Sequence, residues 1–145
     1  MISIKIKLKE GSILPKKAND YASGYDCYAY LIPGIIEQDI IHPGEHKLVS
    51  LGFSMEIPEG YEARIRSRSG LAKDGIVTVH GTIDCDYRGV LMANVFNNSF
   101  KSFSIRHGMR ICQMVIQEVP KTELVVCEEL SETDRGVKGF GSSGL

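Results

Sequence analysis

Ile2, Ile4, Ile6 and Leu8 alternate strictly with Ser3, Lys5, Lys7 and Lys9. A helix would scatter those four apolar side chains around its axis, whereas a strand sets them on one face. The lysines on the other face also guard an edge against unwanted pairing. β-rich runs bounded by turn residues recur along the chain. A β run enters at residues 22–27, continues through Leu31 and stops at Pro33-Gly34. Ile40-Ile41 leads into a turn at Pro43-Gly44, and residues 46–57 form one or two strands with Gly52 as a bulge. Pro58-Glu59-Gly60 turns the chain into residues 61–66, where Tyr61, Ala63 and Ile65 share a face. Residues 76–79, 90–96, 103–105, 109–119 and 123–128 complete the strands. One segment breaks the pattern. Residues 67–74 show no alternation and precede Gly75, a helix stop signal, so one short helix is expected there. Many short strands separated by turn residues point to an all-β barrel or sandwich.

Composition narrows the function classes. The chain has 145 residues, 43% of them hydrophobic, which suits one domain with an ordinary core. A net charge of −1 gives no electrostatic case for nucleic acid or a membrane surface as partner. No apolar run reaches spanning length and no signal segment is visible, so a cytoplasmic location is expected, or a nuclear one in a eukaryotic or viral setting. Cys27, Cys85, Cys112 and Cys127 form no closely spaced pair, and free thiols in a reducing compartment are expected. His42 and His46 are separated by Pro43-Gly44, which breaks the helix that would align them on a metal.

The densest chemistry lies in residues 79–89, where Asp84, Asp86, Tyr87 and Arg88 crowd together. Gly81 reads as the turn of a hairpin joining residues 76–79 to residues 90–96. In an extended run Asp84 and Asp86 would share one side, with Cys85 and Tyr87 on the other. A lone acidic hairpin is ordinarily a solvated turn, so the rest of the chain has to decide its role. The C-terminal residues are rich in glycine around Phe140, Ser142 and Ser143. Such a segment cannot fold alone, yet glycine-freed amides beside two hydroxyls suit an anion such as phosphate.

Five stretches together carry a resemblance. They are Ala22-Ser23-Gly24-Tyr25-Asp26, Arg68-Ser69-Gly70-Leu71-Ala72, residues 81–89, Gly108-Met109-Arg110-Ile111-Cys112-Gln113, and Arg135-Gly136 through Gly139-Phe140-Gly141-Ser142-Ser143-Gly144. In order and spacing the chain resembles the homotrimeric dUTPases, and the likeness spans essentially its whole length. The resemblance implies a jelly-roll-like β-barrel over residues 1–130, with a flexible tail over residues 131–145 that closes the site. It implies a homotrimer whose three active sites are shared between subunits. The implied reaction is hydrolysis of dUTP to dUMP and pyrophosphate with Mg2+.

By the same resemblance, Asp84 activates the water that attacks the α-phosphate, and Asp86 is structural. Tyr87 packs under the deoxyribose and excludes a 2′-hydroxyl. Val79, His80, Gly81 and Ile83 belong to the uracil and deoxyribose pocket, where backbone groups read the base. Arg68, Ser69, Gly70, Gln113, Arg135, Ser142 and Ser143 face the phosphates, while Phe140 and Gly141 cover the base. No direct protein ligand to the metal is implied, and Asp26 stands near its water shell. The departures are Met109 and Ser143, where the family commonly has Asp and Thr, with Cys27 and Cys85 in place of more usual residues. At His80 a small or aliphatic residue is usual. A deaminase of dCTP with the same fold is the main rival. It needs a glutamate where this chain carries Asn94, which cannot titrate. An idle nucleotide-binding barrel would be expected to have lost Asp84, Tyr87 or the tail.

Overall fold

The computed structural model describes residues 2–139. Its strands are β1 (Lys5–Leu8), β2 (Lys16–Lys17), β3 (Tyr25–Tyr28), β4 (Gln38–Ile41), β5 (His46–Ser50), β6 (Phe53–Glu56) and β7 (Tyr61–Ser67). After the helix α1 (Ser69–Lys73) come β8 (Ile76–Thr78), β9 (Gly81–Ile83), β10 (Met92–Asn97), β11 (Phe103–Arg106) and β12 (Arg110–Glu118). The all-β reading with one short helix therefore stands. Pairing is antiparallel throughout, in ladders ordered β2-β3-β12-β7-β9, β5-β10-β8, β1-β6 and β4-β11. Among the described residues these ladders do not join into one closed barrel. Among the described residues no helix is long and apolar enough to cross a membrane.

Inward residues of the facing ladders build one core. Val49, Ala93 and Val95 from β5 and β10 share one buried cluster with Ala63, Ile65 and Met114 from β7 and β12 and with Phe53 and Leu91. Gly52 divides the predicted run of residues 46–57. Its φ of +73° is accessible to glycine at little cost, and a Cβ there would lie 2.7 Å from that of Ser12. The chain consequently changes partners, from β10 before Gly52 to β1 after it. Asn97 closes the end of β10 from inside the core. Its Nδ2 donates to the carbonyls of Ile41 and Lys101, both at 2.8 Å, and its Oδ1 accepts from the N–H and Oγ of Ser99.

Three sequence expectations need correction. First, β8 does pair with β10, but Gly81 is no hairpin turn: it lies in β9, opposite Ile65 of β7. The chain crosses from one ladder to another at Val79-His80. Second, Asp84 to Tyr87 is a tight turn, closed by the Tyr87 N–H on the Asp84 carbonyl at 3.1 Å. The alternation assumed for Asp84 and Asp86 does not apply there. Third, residues 123–128 form no strand. Among the described residues their β-rich composition finds no partner strand, and Leu124 and Val126 are 98% and 99% exposed.

Candidate active site

The ladder β3-β12-β7 sets the first group of predicted residues side by side. Asp26 lies opposite Gln113, and Cys112 opposite both Cys27 and Ser67. The Asp26 side chain is only 16% exposed and each of its oxygens accepts from an arginine. Arg68 Nε donates to Oδ1 at 2.9 Å and Arg110 Nη1 donates to Oδ2 at 3.0 Å. Arg68 also donates from Nη1 to the Arg110 carbonyl at 3.2 Å. A carboxylate gripped this way orients two guanidinium groups whose remaining N–H donors can meet phosphate. Ser69 and Gly70 are exposed at the start of α1, where amides lack helical acceptors. A five-residue helix has little dipole, so the arginines supply most of the positive field.

Gln113 completes this group. Its Nε2 donates to the Ser67 carbonyl at 2.9 Å, and its carboxamide lies over Gly24, where any Cβ would collide with it. The glycine of the first motif is thus explained by the glutamine of the fourth. Next to them the Cys27 thiol is pushed far above its usual range, by the Cys112 thiol opposite it and by burial.

Residues 79–91 hold the second group. Thr82, Ile83, Asp84, Tyr87, Leu91 and Met92 line a pocket of about 210 Å³. Asp84 is exposed at its rim, and among the described residues its carboxylate has no hydrogen-bond partner. The Tyr87 hydroxyl donates to the Val90 carbonyl at 3.3 Å, and its ring occupies the space a side chain at Gly89 would need. His80, Gly81 and Thr82 adjoin Arg64 and Arg66 around a second depression of about 470 Å³. Val79 is anchored through its N–H to the Asn94 carbonyl at 2.8 Å. Among the described residues nothing pairs with the peptide groups of the exposed His80.

The structure thus brings the predicted residues together as two groups. No hydrogen bond or ion pair among the described residues joins Asp84 or Tyr87 to Asp26, Arg68 or Gln113. Arg135 lies in the exposed segment after β12, donating from Nε to the Lys138 carbonyl at 2.9 Å. Phe140, Gly141, Ser142 and Ser143 lie outside the described residues. Asn94, the position that decides the deaminase reading, shares a hydrogen bond of 3.0 Å between its Oδ1 and Nδ1 of the His46 ring. Arg110 is a site candidate that alternation misses. In a regular strand residues 110 and 113 face opposite sides, but the register shifts between Arg110 and Cys112 and turns both toward Asp26.

A sequence model of the dUTPase family matches residues 10–144. The chain belongs to the dUTPase family. The deoxyuridine 5′-triphosphate nucleotidohydrolase of Nautilia profundicola is 44% identical to it over 147 aligned residues, covering 99% of both chains. That of a Hydrogenobaculum species is 46% identical and covers 96% of this chain and 95% of its own. Among solved structures, the dUTPase of Staphylococcus bacteriophage 80alpha with dUPNHPP superimposes with a TM-score of 0.89 at 28% identity, covering all of both chains. A point mutant of the dUTPase from phage phi11 of S. aureus, described with a structural Mg(II) ion, has a TM-score of 0.78 at 24% identity over 88% of this chain and 98% of its own. That likeness speaks to the fold alone. The jelly-roll architecture expected from the motifs is that of this dUTPase, with its ladders left open.

Proposed function

We propose that this dUTPase-family chain hydrolyses dUTP to dUMP and pyrophosphate. The observation that carries the reading is the Asp84 carboxylate, without a partner among the described residues, at the rim of a pocket shared with Tyr87 and Ile83. A carboxylate free of partners can orient a water and take its proton. The water oxygen bonds to the α-phosphorus, the bond to the bridging oxygen breaks, and pyrophosphate leaves with that oxygen. Tyr87 stacks under the deoxyribose and fills the space a 2′-hydroxyl needs. The open peptide groups at His80, between the anchored Val79 and β9, present donors and acceptors to uracil. Mismatching a buried amide pair against cytosine costs about 1–3 kcal/mol per unpaired group. Arg68, Ser69, Gly70 and Gln113 receive the phosphates, joined by Arg110, which Asp26 orients.

Mg2+ suits this donor set as a partner of the nucleotide. It is commonly held by phosphates, waters and one or two carboxylates, and each Asp26 oxygen keeps one lone pair beyond its arginine bond. When bound, Mg2+ neutralises phosphate charge and polarises the electrophile.

That no hydrogen bond or ion pair among the described residues links the two groups supports a homotrimer with shared sites. One subunit then offers Asp84 and Tyr87 to the arginines and amides of another. The exposed apolar arm at Leu124, Val125 and Val126 supports the same assembly. A groove of about 430 Å³ lined by Ile4, Ile6, Tyr25, Met55, Met114 and Ile116 offers a subunit the complementary surface. Residues 131–145 form the closing tail, with Phe140 on the base for about 1–3 kcal/mol of stacking. Arg135, Ser142 and Ser143 meet the terminal phosphate. The test is pyrophosphate release from dUTP, dCTP, dTTP and UTP with Mg2+, with light scattering of the same sample. Rapid turnover of dUTP alone by a trimer is expected. Equal turnover of all four, or ammonia release from dCTP, would overturn the reading.

A further inference from the structure

Thr78 is the last residue of β8 and is 3% exposed. Because the Val79 N–H bonds to Asn94 of β10, the peptide groups of Thr78 point the other way, off the ladder. β8 is the edge of that ladder, so among the described residues no strand meets them. A single side chain does. Ser67 Oγ accepts from the Thr78 N–H at 2.9 Å and donates to the Thr78 carbonyl at 3.0 Å. One hydroxyl thereby performs both roles of a neighbouring strand's peptide group.

The position of Ser67 gives that bond its consequence. Ser67 ends β7 and immediately precedes Arg68. Its own carbonyl is held by Gln113 Nε2. Thr78 in turn donates from Oγ1 to the Ile111 carbonyl at 3.3 Å. Two residues beyond Thr78 the chain opens into the peptide groups of His80, which have no partner among the described residues. The hydroxyl therefore sits between the phosphate-side strand and the segment whose backbone faces the base.

We propose that Ser67 is a positioning residue for base recognition. Its hydroxyl sets the height of the Thr78 peptide, and so of the Val79 to Gly81 backbone, against the nucleobase. This inference rests on the hydrolase reading above. Backbone recognition demands it, because donors displaced by a fraction of an ångström lose their alignment, and the displaced set no longer separates uracil from cytosine.

The test compares Ser67→Ala, Ser67→Cys and Ser67→Thr with the parent chain. Cysteine keeps the volume without a strong hydrogen bond, and threonine keeps the hydroxyl. Amide exchange at Thr78 is read by NMR, and kcat and KM are measured separately for dUTP and dCTP. Loss of the hydroxyl should speed Thr78 exchange, raise KM for dUTP about tenfold and narrow the preference for dUTP over dCTP by a similar factor. Turnover at saturation should change less, and Ser67→Thr should restore both readouts. Unaltered Thr78 exchange in Ser67→Ala would overturn the bond itself. An unaltered preference, with kcat lowered equally for both nucleotides, would leave Ser67 as scaffold only and overturn its role. If Ser67→Ala does not fold, Ser67→Cys carries the comparison. If neither folds while Ser67→Thr does, the hydroxyl serves folding and the proposal falls. A parent chain inert toward dUTP would sink the hydrolase reading and the selectivity role with it, whereas the Thr78 exchange result would still judge the bond.

Discussion

Gly24→Ala should change sign with the residue at position 113. In the parent chain the new methyl collides with the Gln113 carboxamide, which lies over Gly24 while bonded to Ser67. The carboxamide must swing away. That costs the hydrogen bond, about 1 kcal/mol, and a strained rotamer, about 1 kcal/mol. Alanine also narrows the unfolded ensemble, which returns about 0.4–1 kcal/mol, since Gly24 is not among the positive-φ glycines. The net loss is about 1 kcal/mol, or roughly 3 °C in Tm for a chain of this length. In a Gln113→Ala background the collision partner is gone. There Gly24→Ala should be neutral or stabilising by about 0.4–1 kcal/mol. The four proteins are melted at one protomer concentration, since assembly makes Tm concentration-dependent. Pyrophosphate release is measured on the same samples. Activity should follow Gln113: Gly24→Ala lowers kcat/KM about as far as Gln113→Ala, and the double variant falls little further. Additive stabilities and additive activity losses across the cycle would refute the steric argument.

Further expectations concern other parts of the site. Asp84→Asn should keep the fold and nucleotide affinity while lowering turnover by roughly 10²–10⁴, measured as steady-state kcat beside dUTP affinity. Mixing Asp84→Asn subunits with subunits truncated after Arg135 should restore activity if the sites are shared, and no recovery in refolded mixtures would count against sharing. Tyr87→Ala should admit UTP, read as a higher ratio of UTP to dUTP hydrolysis; continued full rejection would leave Tyr87 a packing residue. The Cys27 thiol, raised by the neighbouring Cys112 thiol and by burial, ties stability to pH. The folded form holds this proton more tightly than the unfolded chain, so stability is complete below the ordinary thiol range near pH ~8.5 and declines above it. Tm scans from neutral to alkaline pH should show that decline, and Cys27→Ala should flatten it.

Local chemistry made much of this molecule legible. Period-two alternation located β1 and β7, β-rich runs between turn residues located β3, β5, β6, β8, β10, β11 and β12, and loss of alternation before Gly75 located α1, whereas β4 and the brief β2 and β9 went unread. These signals act over a few residues and need no knowledge of what lies opposite. The motif residues were legible for a similar reason, since a carboxylate, a tyrosine and a glycine keep their chemistry wherever the chain puts them. Partner choice was not. Gly81 looked like a turn because glycine favours one, yet a place beside Ile65 drew it into β9. Residues 123–128 had the composition of a strand and, among the described residues, no ladder to join. Arg110 turns toward Asp26 only through a register shift in β12, and Ser67 matters only because the edge of β8 lacks a neighbour. Each of these depends on residues distant in sequence, from 11 between Ser67 and Thr78 to 84 between Asp26 and Arg110. A pattern along the chain registers what each residue prefers, but only the folded chain decides which groups compete for the same hydrogen bond.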